Sequence, residues 1–78
     1  MKLHLNVGYA DGFREGQIAQ VVAELAEVPE RDVTRVAPHR RYAFFFVPTE
    51  VADRVLERIR DHEWQGKVLT AEPARERR

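Results

Sequence analysis

Leu3-His4-Leu5-Asn6-Val7 alternates apolar and polar side chains with period two, the pattern of a strand buried on one face, with Leu3, Leu5 and Val7 inward. Gly8, Gly12 and Gly16 punctuate the next segment and end the strand. From Glu15 to about Glu27, Ile18, Val21, Val22 and Leu25 recur at i, i+3, i+4 and i+7, which predicts a helix that Pro29 closes. Asp32-Val33-Thr34-Arg35-Val36-Ala37-Pro38 is a short β-like run, and its proline restricts it to a sheet edge. Tyr42-Ala43-Phe44-Phe45-Phe46-Val47 is the densest aromatic and β-branched run. Val51, Ala52, Val55, Leu56 and Ile59 then make a second helical face, with Thr49 predicted to cap it. Trp64 reads as an apolar plug over the helix end, and Lys67 to Ala71 as the last strand.

The order strand, helix, strand, strand, helix, strand predicts an α+β fold of the ferredoxin-like βαββαβ type. A four-stranded antiparallel sheet carries two helices on one face and leaves the other open. Residues 1–72 form this domain, and residues 73–78, charged and poor in apolar side chains, are expected to be a disordered tail.

With 78 residues, 44% of them hydrophobic and none of them Cys, the chain must build a single core without disulfide help. Most of its apolar residues are needed for that core, which excludes a complete large enzyme, and the lack of thiols excludes thiolate nucleophiles and thiolate zinc sites. No apolar run approaches the ~18 residues that span a bilayer, and no signal-peptide pattern opens the chain, so the expected location is cytoplasmic, with no membrane partner. His4, His39 and His62 lack metal-ligand spacing and no acid–base pair stands out, so no metal, cofactor or catalytic residue is assigned. Asp11, in a glycine-bounded loop, is read as accepting local backbone hydrogen bonds.

The 13 Lys and Arg balance the 13 Asp and Glu, so any basic surface must come from segregation. Arg31, Arg35, Arg40 and Arg41 are opposed only by Asp32 between positions 31 and 41, whereas the first helix carries Glu15, Glu24 and Glu27 with no Lys or Arg. The basic stretch leads directly into the aromatic strand. There, with Ala43, Phe45 and Val47 inward, Tyr42, Phe44 and Phe46 face the open side of the sheet.

Arg40-Arg41-Tyr42-Ala43-Phe44-Phe45-Phe46-Val47 follows the RNA-recognition signature K/R-G-F/Y-G/A-F-V-x-F/Y at several positions, with Arg41 in place of the glycine and Val47 in place of the final aromatic. Tyr42 and Phe44 hold the places whose rings stack on unpaired bases, and Phe46 adds a third ring. His4 falls where the neighbouring strand is expected to present another. Arg35, Arg40 and Arg41 are candidates for phosphate contact, and Lys2 and Lys67, on strands near the same sheet, extend the set. Another reading keeps the same aromatic face but covers it with a second copy of the chain or a neighbouring domain, making this a protein-interaction or dimerisation module.

Leu3-His4-Leu5-Asn6-Val7-Gly8, followed by Ala10-Asp11-Gly12 and Gly16-Gln17-Ile18, resembles the opening of the DbpA/CsdA-type RNA-binding domain, a divergent RNA-recognition motif. That domain lies at the C-terminal end of certain bacterial DEAD-box RNA helicases. Arg41-Tyr42-Ala43-Phe44 with Val47-Pro48, and Gln65-Gly66-Lys67-Val68-Leu69, resemble two further stretches of the family, so the likeness covers nearly the whole chain. Phe46 in place of a glutamate and Pro38 within a normally aliphatic strand are departures. The resemblance implies a non-catalytic module that anchors a helicase core to structured, typically ribosomal, RNA such as a hairpin or single-stranded loop, in the context of ribosome biogenesis. The ATP-binding and hydrolase functions would belong to the core of a longer parent chain, since G-x-x-x-x-G-K-[ST] does not occur here.

Overall fold

The computed structural model describes residues 1–74, and the tail expected over 73–78 therefore lies largely outside the described residues. Its elements are β1 (Lys2–Leu5), α1 (Glu15–Ala26), β2 (Thr34–Pro38), β3 (Ala43–Phe46), α2 (Thr49–Ile59), β4 (His62–Trp64), β5 (Lys67–Leu69) and β6 (Ala71–Pro73). Single 3₁₀ turns over Tyr9–Asp11 and Glu30–Asp32 follow β1 and precede β2.

A four-stranded antiparallel sheet has the order β2-β3-β1-β6. The alternation read from the sequence sets its inner face: Leu3, Leu5, Ala43 and Phe45 are buried, together with Ile18, Val22 and Ala26 of α1 and Ala52, Val55 and Ile59 of α2. Both helices thus share one core on one side of the sheet. α1 packs on α2 and on β2, and an exposed ion pair from Arg58 to Glu27 (3.2 Å) joins the two helices. Pro48, not Thr49, occupies the N-cap of α2. The proline fixes an extended turn-in, and the Thr49 hydroxyl caps nothing.

The C-terminal third differs from expectation. Lys67–Leu69 does not enter the main sheet but pairs with β4 in a separate hairpin, register Trp64↔Lys67 and His62↔Leu69. Gln65 and Gly66 between them have φ of 50° and 83°, the left-handed pair of a tight two-residue hairpin turn. Trp64 packs against Phe13 (6.3 Å between centroids), covering one end of the core. Ala71–Pro73, partly assigned to the tail from sequence, is the fourth strand of the main sheet, with Glu72 opposite His4 and Pro73 opposite Leu3. Asn6 locks this arrangement, its amide donating to the Val68 carbonyl (3.0 Å) while its side-chain oxygen accepts from Thr70 N–H (2.8 Å).

Both outer strands carry a proline. His39 N–H donates to Tyr42 O (2.7 Å), so by alternation the nitrogen of Pro38 faces the open side of β2. Ala74 N–H donates to Lys2 O (2.9 Å), which turns the Pro73 nitrogen outward from β6 in the same way. β2 also contains a bulge: its register shifts between Thr34 and Ala37, and Arg35 there has φ of 49°.

Candidate nucleic-acid interface

The sheet face away from the helices is where the sequence-predicted residues meet. Residues paired across antiparallel strands share a face, so Ala37, Phe44, His4 and Glu72 form one row spanning all four strands. Lys2 and Phe46 are paired in the adjacent row. Tyr42, just before β3, extends the platform past Phe44.

Four rings make contact there. Tyr42 stacks with His39 (4.7 Å, 19° between planes) and with His4 (5.4 Å, 23°). Phe44 stands edge-on to His4 (5.4 Å), to His39 (5.6 Å) and to Tyr42 (5.5 Å). Within this mutual packing Phe44 is half-exposed and Tyr42 keeps 39% of its surface, and Phe46, outside the four-ring cluster, is half-exposed as well. His4 is therefore part of an aromatic cluster and not an isolated strand histidine.

Two cations lie on the rings. Lys2 Nζ is 4.5 Å from the centroid of Phe44, and the Arg35 guanidinium carbon is 5.5 Å from that of Phe46. The bulge and left-handed backbone at Arg35 account for the latter, since a regular strand would have continued the alternation without the extra residue. Arg40 and Arg41 are exposed at the β2–β3 turn, beside the Tyr42–His39 stack.

Lys67 belongs elsewhere. It lies on the separate hairpin, and its ammonium donates to the Asp11 carboxylate (3.2 Å), which compensates its charge. Asp11 accepts first from the Gly8 N–H (3.1 Å), the local role expected of it. That bond, Lys67 and the charge of Arg41 together hold its carboxyl below the usual carboxylate range, outweighing the opposing effect of burial. Gly8 carries the loop into contact with the β2–β3 turn, where Tyr9 N–H donates to His39 O and Ala10 N–H to Arg40 O, each at 2.9 Å. The turn bearing the arginines is thus anchored on both sides.

Sequence reasoning missed His39 and Glu72. His39 and Tyr42 flank Arg40-Arg41, and reading that dipeptide as a tight hairpin turn would have put the two rings opposite each other. Glu72 was hidden because its strand is short, polar and proline-bearing. Among the described residues no group of three or more His, Cys, Asp or Glu could hold a metal ion, and no helix is long and apolar enough to cross a membrane.

A fold comparison finds a crystal structure described as RNA Binding Protein PG1, which superposes with a TM-score of 0.75 at 23% identity, covering 100% of this chain and 98% of that one. At that identity the likeness is one of fold, an α+β arrangement with two helices and a mostly antiparallel sheet. No curated protein sequence matches the chain. The model of the DbpA RNA binding domain matches residues 2–73, nearly the whole chain and every element from β1 to β6. The chain belongs to the DbpA RNA-binding domain family, non-catalytic modules found as C-terminal domains of DEAD-box helicases.

Proposed function

We propose that the open sheet face binds unpaired bases of structured RNA by stacking, with arginine and lysine side chains holding the adjacent phosphates. The observation that carries this reading is the cluster of His4, His39, Tyr42 and Phe44 on the one sheet face without helices, with Lys2 lying on its Phe44 ring and Arg35 on the ring of Phe46 nearby. Rings supply sequence-tolerant stacking surface, and cations beside them neutralise the backbone that accompanies a stacked base. Tyr42, Phe44, Phe46 and His4 are the stacking residues in this reading. Lys2, Arg35, Arg40 and Arg41 are the phosphate contacts. Lys67 acts indirectly, through Asp11 and the loop that supports the turn.

The strand order β2-β3-β1-β6 supports taking the fold as ferredoxin-like, with the β4–β5 hairpin inserted before the last strand. Family membership supports a targeting role, in which the domain brings the core of a DEAD-box helicase to a ribosomal-RNA hairpin in the cytoplasm and the core's ATP hydrolysis acts nearby.

The test is fluorescence anisotropy with a labelled ribosomal-RNA hairpin at two salt concentrations. Base stacking is worth ~1–3 kcal/mol per base, so Tyr42→Ala or Phe44→Ala should weaken binding about five- to a hundredfold, and affinity should fall as salt rises. Unchanged affinity in both variants would overturn the stacking reading. A folded wild-type domain that binds no RNA but doubles its mass with concentration would establish the face as a protein interface.

A further inference from the structure

At the β1–β6 side of the sheet the aromatic platform drops into a concavity of about 600 Å³ lined by His4, Phe44, Glu72, Pro73 and Ala74. Its floor is aromatic, its outer wall is a rigid proline, and its polar wall is a carboxylate. Glu72 sits directly across from His4, in the same row as Phe44, and among the described residues no ion pair or side-chain hydrogen bond engages it. Its sign is wrong for a surface whose other charged side chains, Lys2 and Arg35, are cationic. A carboxylate can only accept hydrogen bonds, and a phosphate has none to offer it, so it opposes backbone binding wherever it lies near RNA.

Resting on the RNA-binding reading above, we infer that this concavity is a base-selective subsite in which Glu72 accepts a hydrogen bond from the exocyclic amine of a base that stacks on His4 and abuts Phe44, whose ring stands at 66° to the imidazole. The chemistry selects bases by the group they present at that edge. Cytosine offers N4–H₂, adenine N6–H₂ and guanine N2–H₂, each a donor that matches a carboxylate. Uracil, equal to cytosine in size and stacking surface, puts its O4 carbonyl where the amine would be, and two acceptors then face each other across the subsite. The backbone that carries Glu72 is fixed: β6 is paired to β1 on either side of it, through Ala74 N–H to Lys2 O (2.9 Å) and Asn6 N–H to Thr70 O (3.2 Å), so its side chain leaves the sheet beside His4. Glu72 is thus a specificity-determining residue, whereas Tyr42 and the arginines supply affinity common to all sequences.

The experiment compares oligocytidine and oligouridine of about eight nucleotides, a length within the usual single-strand site size, by fluorescence anisotropy at pH 7.5 with the wild-type domain, Glu72→Gln and Tyr42→Ala/Phe44→Ala. The wild type should prefer oligocytidine about five- to tenfold. Glu72→Gln, a substitution at an exposed strand position, should bind oligocytidine more weakly and oligouridine more tightly, so that the preference collapses. If Glu72 were only a surface charge, its neutralisation would raise affinity for both oligomers by the same factor, and that result, or a wild type indifferent to the base, would overturn the inference. The double variant separates the two levels of the argument. Equal loss for both oligomers in Tyr42→Ala/Phe44→Ala leaves the stacking platform standing whatever Glu72 does, and wild-type binding to neither oligomer would overturn platform and subsite together.

Discussion

Replacing Gly8 by alanine should damage the fold and the RNA-facing turn at once. Gly8 has φ of −141° and ψ of −160°, extended values open to any residue, so the demand for glycine is one of space and not of backbone angle. A β-carbon there would overlap the carbonyl oxygen of His39 and lie 2.8 Å from both the nitrogen and the oxygen of Tyr42. All three obstacles are backbone atoms, so no rotamer change can relieve them. The loop must lift off the β2–β3 turn, breaking the hydrogen bonds from Tyr9 to His39 and from Ala10 to Arg40 and disturbing the one from Gly8 to Asp11. At about 1 kcal/mol for each neutral bond and somewhat more for the charge-assisted one, the loss is about 2–4 kcal/mol. That is a large share of the ~5–15 kcal/mol that holds a typical domain together. Urea unfolding followed by circular dichroism should therefore show a lower midpoint at unchanged slope, and melting should fall by roughly 10–25 °C. Gly16→Ala is the matched control, since it sits in α1 with nothing near its missing β-carbon and should be neutral or stabilising by up to about 1 kcal/mol. A Gly8→Ala protein within about 0.5 kcal/mol of wild type would refute the docking of this loop against the turn.

Two further outcomes follow from the packing and from the electrostatics. Phe45→Ala removes the largest of the fully buried side chains, 0% exposed, and should cost about 3–5 kcal/mol in chemical denaturation; a loss under about 1.5 kcal/mol would contradict its central place in the core. The Asp11 carboxyl titrates lower in the folded protein than in the unfolded chain, so its contribution is full above the unfolded value, near pH 4, and fades as pH falls through the folded value. The stability gap between wild type and Asp11→Asn should accordingly be widest at neutral pH and shrink by pH 3, and a gap of constant size across that range would remove the proposed role of the carboxylate charge.

How far the sequence reveals this molecule depends on whether the signal is local. The helical spacing of Ile18, Val21 and Val22, and of Ala52, Val55 and Ile59, reports a face that is buried whatever it packs against, and both helices lie where the spacing puts them. The alternation through Tyr42 to Val47 is equally self-contained, because a period of two assigns Phe45 and Phe44 to opposite faces without reference to any partner. The last strand is different. Lys67–Leu69 looks more strand-like than Ala71–Pro73, but the left-handed turn at Gln65-Gly66 folds it back on His62–Trp64, and only pairing with β1 draws the short polar segment after it into the sheet. Partners far apart in sequence escape local reading altogether. The ion pair of Lys67 with Asp11 spans 56 positions, so a lysine expected near the sheet proves to serve a loop at its end. The four-ring cluster is legible in part, through Tyr42, Phe44 and His4, while His39 joins it by the closeness of the turn.

The two outward-facing proline nitrogens at Pro38 and Pro73 decide how this domain tolerates its own chemistry. A protein that displays several aromatic rings beside open strand margins invites polymerisation, because a neighbouring chain can add a strand at either margin and bury the rings in the process. Here each margin offers an incoming backbone a missing donor, and on β2 a bulge also twists the edge out of register. Stickiness is thereby confined to the face, where a planar base fits, and withheld from the rims, where a second copy would begin a fibre.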